Sequence, residues 1–83
     1  MKDSEITALL FSNDPKGLEK LSKKYERLIL SIAENILSNR EDAEECLNDT
    51  YLAVKRRIPP ERPEYLCAFV CRIARNISLS KRR

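Results

Sequence analysis

The chain has 83 residues, of which 16 are Lys or Arg and 13 are Asp or Glu, for a net charge of +3. One glycine and no histidine exclude a glycine-rich phosphate loop and remove the commonest general base and metal ligand. That length holds one small domain, the composition argues against an enzyme, and neither a cofactor nor a metal is expected.

Ser4 is positioned to cap a short first helix of about two turns carrying Ile6, Leu9, Leu10 and Phe11. Asp14-Pro15 reads as an N-cap with proline at the first helical position. Leu18, Leu21, Tyr25, Leu28, Ile29, Ile32 and Ile36 then recur at steps of three and four, predicting an amphipathic helix over about 15–37. Gly17 costs little so near the helix start. Ser38-Asn39 breaks the pattern, and Asn39 with Asp42 resembles a capping arrangement for a third helix over about 40–57. Its apolar positions are Ala43, Leu47, Tyr51 and Val54. The run Ile58-Pro59-Pro60-Glu61-Arg62-Pro63 cannot be helical throughout, because proline lacks a donor and fixes φ; it is expected to form a stiff extended linker. A last helix is expected from near Pro63 towards the end, with Leu66, Phe69, Val70, Ile73 and Ile77 on its buried stripe. No segment alternates with period two. The expected fold is all-α: one compact bundle of three main helices plus the short N-terminal one.

The three cysteines, Cys46, Cys67 and Cys71, do not form a disulfide framework and read as reduced, partly buried thiols. There is no signal segment and no apolar run near the ~20 residues of a membrane span, so the expected compartment is the cytoplasm, without membrane contact.

Charge is sorted by segment. Residues 39–52 hold five acids against Arg40 alone, whereas residues 66–83 hold Arg72, Arg75, Lys81, Arg82 and Arg83 with no acid. Helix dipoles account for Glu41 and Asp42 at one end and Lys81 to Arg83 at the other, but not for Glu45, Asp49, Arg72 or Arg75. Two partners of opposite charge account for them better: a basic protein surface for the acidic helix and phosphates for the basic one. Tyr65 and Phe69 are aromatics near the basic helix, where unpaired bases could stack; Phe69, on the apolar stripe, reads first as core.

The run Asn39-Arg40-Glu41-Asp42-Ala43-Glu44-Glu45-Cys46-Leu47-Asn48-Asp49-Thr50-Tyr51-Leu52 resembles the core-polymerase-binding segment of bacterial sigma factors, in particular of the small extracytoplasmic-function (ECF) group. Ile58-Pro59-Pro60-Glu61-Arg62-Pro63-Glu64-Tyr65-Leu66, followed by Phe69 and Ile73-Ala74-Arg75-Asn76-Ile77, is similar to the linker and last helix of the same domain, sigma region 2. The resemblance spans about residues 15–83. It implies docking of Asp42, Glu45, Asn48, Asp49 and Leu52 on the clamp helices of the RNA polymerase β′ subunit. It also implies capture of the melted non-template strand of the promoter −10 element by Arg62, Tyr65, Arg72, Arg75, Asn76, Lys81, Arg82 and Arg83, with one flipped base held by the 58–65 linker. An anti-sigma factor is a further partner that the family admits. Lys55 and Phe69 stand where tryptophan is usual or common, and Ser80 stands where the last helix usually carries Asp. The family's second, helix-turn-helix domain does not fit within 83 residues, so a fragment and a stand-alone region 2 both stay open. A polymerase-binding module without DNA binding is the alternative function.

Overall fold

The computed structural model describes residues 1–82. Its helices are α1 (Asp3–Phe11), α2 (Lys16–Leu37), α3 (Arg40–Arg57) and α4 (Leu66–Lys81). With no strand among the described residues, the fold is the expected all-α bundle.

α2 is the spine: its 22 residues run about 33 Å, and α1, α3 and α4 all pack on it. Asp14 caps it as the sequence implies, its carboxylate accepting from the Lys16 backbone N–H at 2.9 Å. α2 ends on Ser38, which adopts a left-handed conformation (φ 54°) and donates its N–H to the Glu34 carbonyl. The Asn39 side chain then accepts from the Asp42 N–H at 3.0 Å and starts α3.

Three local expectations are corrected. Ser4 does not cap α1; the helix begins at Asp3, and the Glu5 carboxylate reaches back to the Lys2 N–H at 3.0 Å. The 58–63 segment is not extended throughout. Ile58 is buried, and the Glu61 N–H bonds the Arg57 carbonyl at 2.8 Å, so the chain turns before α4. α4 therefore starts at Leu66 rather than near Pro63.

The core also differs in detail. α2 buries Gly17, Leu21, Tyr25, Ile29 and Ala33, one residue per turn, and leaves Leu28 40 % exposed. Gly17 lies under α1, where an added Cβ would come within 2.9 Å of the Leu10 backbone nitrogen. Small side chains fill the seam between α2, α3 and α4: Ala33, Ala43, Cys46, Ala74 and Ser78 are all fully buried. Cys46 Sγ lies 3.1 Å from Ser78 Oγ and 3.6 Å from the Ala74 carbonyl, and Ser78 also donates to that carbonyl. Packing this tight requires small residues, because a larger side chain would force the helices apart. Ile77 flanks the seam and Phe69 packs on the larger core, and both are only half-buried.

Candidate protein and nucleic-acid interfaces

α3 presents the acidic face. Asp42, Glu45, Asn48, Asp49 and Leu52 fall within roughly a third of the helix circumference, given about 100° per residue. Asp42, Glu45 and Asn48 are exposed and Asp49 is half-buried. Leu52 is 57 % exposed at the C-terminal end of this face, one turn after Asn48 and Asp49 and one turn before Lys55 and Arg56. An exposed leucine with charged and polar neighbours on both sides has the make-up of a protein-docking surface, apolar contact with a polar rim.

α4 presents the basic face. Arg72, Arg75 and Asn76 are exposed and lie on one outer stripe, in line with Tyr65 at the helix entrance. Tyr65 is 72 % exposed. Beside it, Arg57, Glu61, Pro63, Tyr65, Ala68, Phe69 and Arg72 line an open hollow of about 270 Å³. Two contacts hold its rim. Arg57 and Glu61 form a bidentate ion pair (Nε–Oε2 2.6 Å, Nη2–Oε1 3.0 Å), and the Arg57 guanidinium stacks over the Phe69 ring at 4.7 Å. The arginine holds the Glu61 carboxyl below its usual range, so the pair stays charged. The sequence reading missed Arg57 and Glu61 as part of this site. Their i, i+4 spacing was a usable signal, obscured because the pair straddles the end of α3.

The remaining candidates lie elsewhere. Arg62 rests its guanidinium over the Phe11 ring at 5.1 Å, against α1 rather than along α4. Lys81 comes round to the far side of α4 and faces α3, where Nζ meets Glu45 Oε1 at 2.6 Å and Asp49 Oδ2 at 3.1 Å. Both carboxylates raise the lysine's pKa, with Glu45 the larger cause. Arg82 is exposed next to it, and an open groove there is lined by Leu37, Asp42, Glu45, Ser80, Lys81 and Arg82. The last turn of α4 thus joins residues expected on the nucleic-acid side to residues expected on the protein side. Arg83 lies outside the described residues.

Cys67 and Cys71 are not bonded to each other, their Sγ atoms being 4.0 Å apart, and burial together with the neighbouring thiol pushes Cys71 up to about 11. Such a thiol is poorly reactive at neutral pH. Among the described residues no group of three or more Cys, Asp or Glu side chains is arranged to hold a metal, and no helix is long and apolar enough to cross a membrane.

An all-helical bundle with an acidic helix set against a basic one is matched by the family model for sigma-70 region 2 over residues 21–83. The chain belongs to the sigma-70 region 2 family. Comparison with curated proteins and with solved structures finds no match. The role of a sigma region 2 domain is in polymerase binding and promoter recognition at transcription initiation, and the family is not enzymatic. Within this sigma domain, α3 presents the acidic face and α4 the outer basic stripe.

Proposed function

We propose that the domain is of the ECF type, docks through the α3 face on the clamp helices of the polymerase β′ subunit, and captures the melted non-template strand of a −10 element along α4. The observation that carries this reading is the outer stripe of α4: Tyr65, Arg72, Arg75 and Asn76 in line, ending at the hollow beside Phe69. Arg72 and Arg75 supply a positive track for a strand backbone. Tyr65 offers an exposed ring on which an unpaired base stacks. The hollow, with the Arg57–Glu61 pair at its rim, gives a flipped base both donors and acceptors for its edge. Asn76, with one donor and one acceptor group, is placed to read a neighbouring base.

On the other side, Glu45 and Asp49 attract a basic surface while Leu52 supplies apolar contact. The test uses the assembled complex of this chain with core polymerase and a pool of random-sequence single strands. A defined sequence is enriched by the wild type, and Arg75→Ala abolishes the enrichment while leaving assembly intact. Equal recovery of all strands by the wild type would instead favour a polymerase-binding module that does not read DNA.

A further inference from the structure

α2 carries a second basic surface that neither task uses. Lys16, Lys20, Lys23 and Arg27 recur at steps of four, three and four, so they share a narrow arc of the helix. The centre of that arc lies about 90–170° round the helix from the neighbouring buried positions Gly17, Leu21 and Tyr25, so the arc faces outward, with Lys20 nearest the packed side. Lys16, Lys23 and Arg27 are exposed, and Lys20 is half-buried. Among the described residues none of the four enters an ion pair, whereas Lys24, just off the arc, is held by Asp3 at 2.6 Å. Glu19 and Glu26 flank one edge only, and Glu26 accepts a hydrogen bond from Ser22.

We infer that this outer face of α2 binds the phosphate backbone of duplex DNA without reading its sequence. The chemistry of the arc selects that partner. No aromatic lies on it, so it lacks the stacking platform of a single-strand site. It has no apolar anchor either, so it lacks the centre of a protein-docking surface. What it offers is a row of long, unpaired cations along about 16 Å of helix, which suits backbone neutralisation and counterion release. The inference rests on the proposed function only in placing DNA within reach of the domain. α2 then holds duplex while α4 holds the opened strand.

The test measures binding of the chain alone to a short mixed-sequence duplex and to a single strand, by fluorescence anisotropy over a range of salt. Four phosphate contacts give a log–log salt slope of about −3.6, or roughly two orders of magnitude in affinity between about 50 and 200 mM salt. The variant K16Q/K20Q/K23Q/R27Q is expected to lose most of that slope for duplex and to keep single-strand binding. The variant R72Q/R75Q is expected to do the reverse. Five of the six substitutions are at exposed helix positions and the sixth, Lys20, is half-buried; circular dichroism checks that both variants fold. An unchanged duplex slope in the fourfold variant overturns the inference, as does absence of duplex binding at the lowest salt. Displacement by a Glu-rich peptide of a ligand that duplex cannot displace overturns it too, in favour of an acidic protein partner. Failure of R72Q/R75Q to affect the single strand counts against the α4 reading and leaves the duplex result standing.

Discussion

The Lys81 ammonium lies 2.6 Å from the Glu45 carboxylate, joining α4 to α3 across 36 residues of sequence, and reaches Asp49 as well. It therefore covers two carboxylates on the face proposed to meet polymerase. Exposed pairs of this kind add little to stability and are screened by salt. Lys81→Ala should leave the melting temperature nearly unchanged. It should tighten binding to core polymerase at low salt, because Glu45 and Asp49 are freed for the partner's cations. Weakening as large as that from Asp49→Ala would mean that Lys81 itself touches the partner.

Gly17 gives a sharper test of packing. By helix propensity alone, alanine there gains up to about 1 kcal/mol. The added Cβ, however, would sit 2.9 Å from the Leu10 backbone nitrogen, which no rotamer change relieves. Gly17→Ala should therefore destabilise, by about 1–3 kcal/mol in urea unfolding, as overpacking does. Stabilisation by this substitution would contradict the observed closeness of α1 and α2.

The attachment of α1 should depend on pH at both extremes. Asp3 accepts from Lys24 Nζ at 2.6 Å and Tyr25 Oη at 2.5 Å. Hydrogen bonds from Lys24 and then Tyr25 lower its pKa from the ordinary 3.8. The stability it contributes is full above that value and is lost as pH falls through its lower folded pKa. Tyr25 is raised from the ordinary 10.0, first by burial and then by the bond to Asp3. The stability tied to its protonated form is present below pH 10 and declines as pH rises beyond it. Thermal melts across pH should show both flanks, and Asp3→Ala should flatten the acid one. An acid flank unchanged in Asp3→Ala would assign it to other carboxylates.

Much of the architecture was legible because the chain marks its helix ends with side chains that do local work. Asp14 and Asn39 bond the first free N–H groups of α2 and α3, and such caps depend on near neighbours alone. The α3–α4 seam was less legible. Cys46, Ala74 and Ser78 are small or polar, so a search for large apolar residues passes over them, yet close helix approach needs them. Leu28 shows the converse: its spacing fits the stripe, but α2 buries only one residue per turn along its centre.

In the candidate site, the shared stripe of Arg72, Arg75 and Asn76 follows from helical spacing. The placement of Lys81 does not, because a run of cations at a chain end reads as one patch until the helix phase and the position of α3 are known. The turn at 58–61 was also hidden. It is set by burial of Ile58 and by the Arg57–Glu61 pair, contacts that proline chemistry alone does not specify.

The central claim is that two faces of one small bundle perform two separable tasks. Promoter opening and polymerase assembly, measured side by side for Asp49→Lys and Arg75→Ala in the reconstituted complex, test it most directly. The account predicts that Asp49→Lys loses assembly, and that Arg75→Ala assembles normally but fails to hold the opened strand. Loss of assembly in Arg75→Ala, or normal assembly in Asp49→Lys, would contradict it.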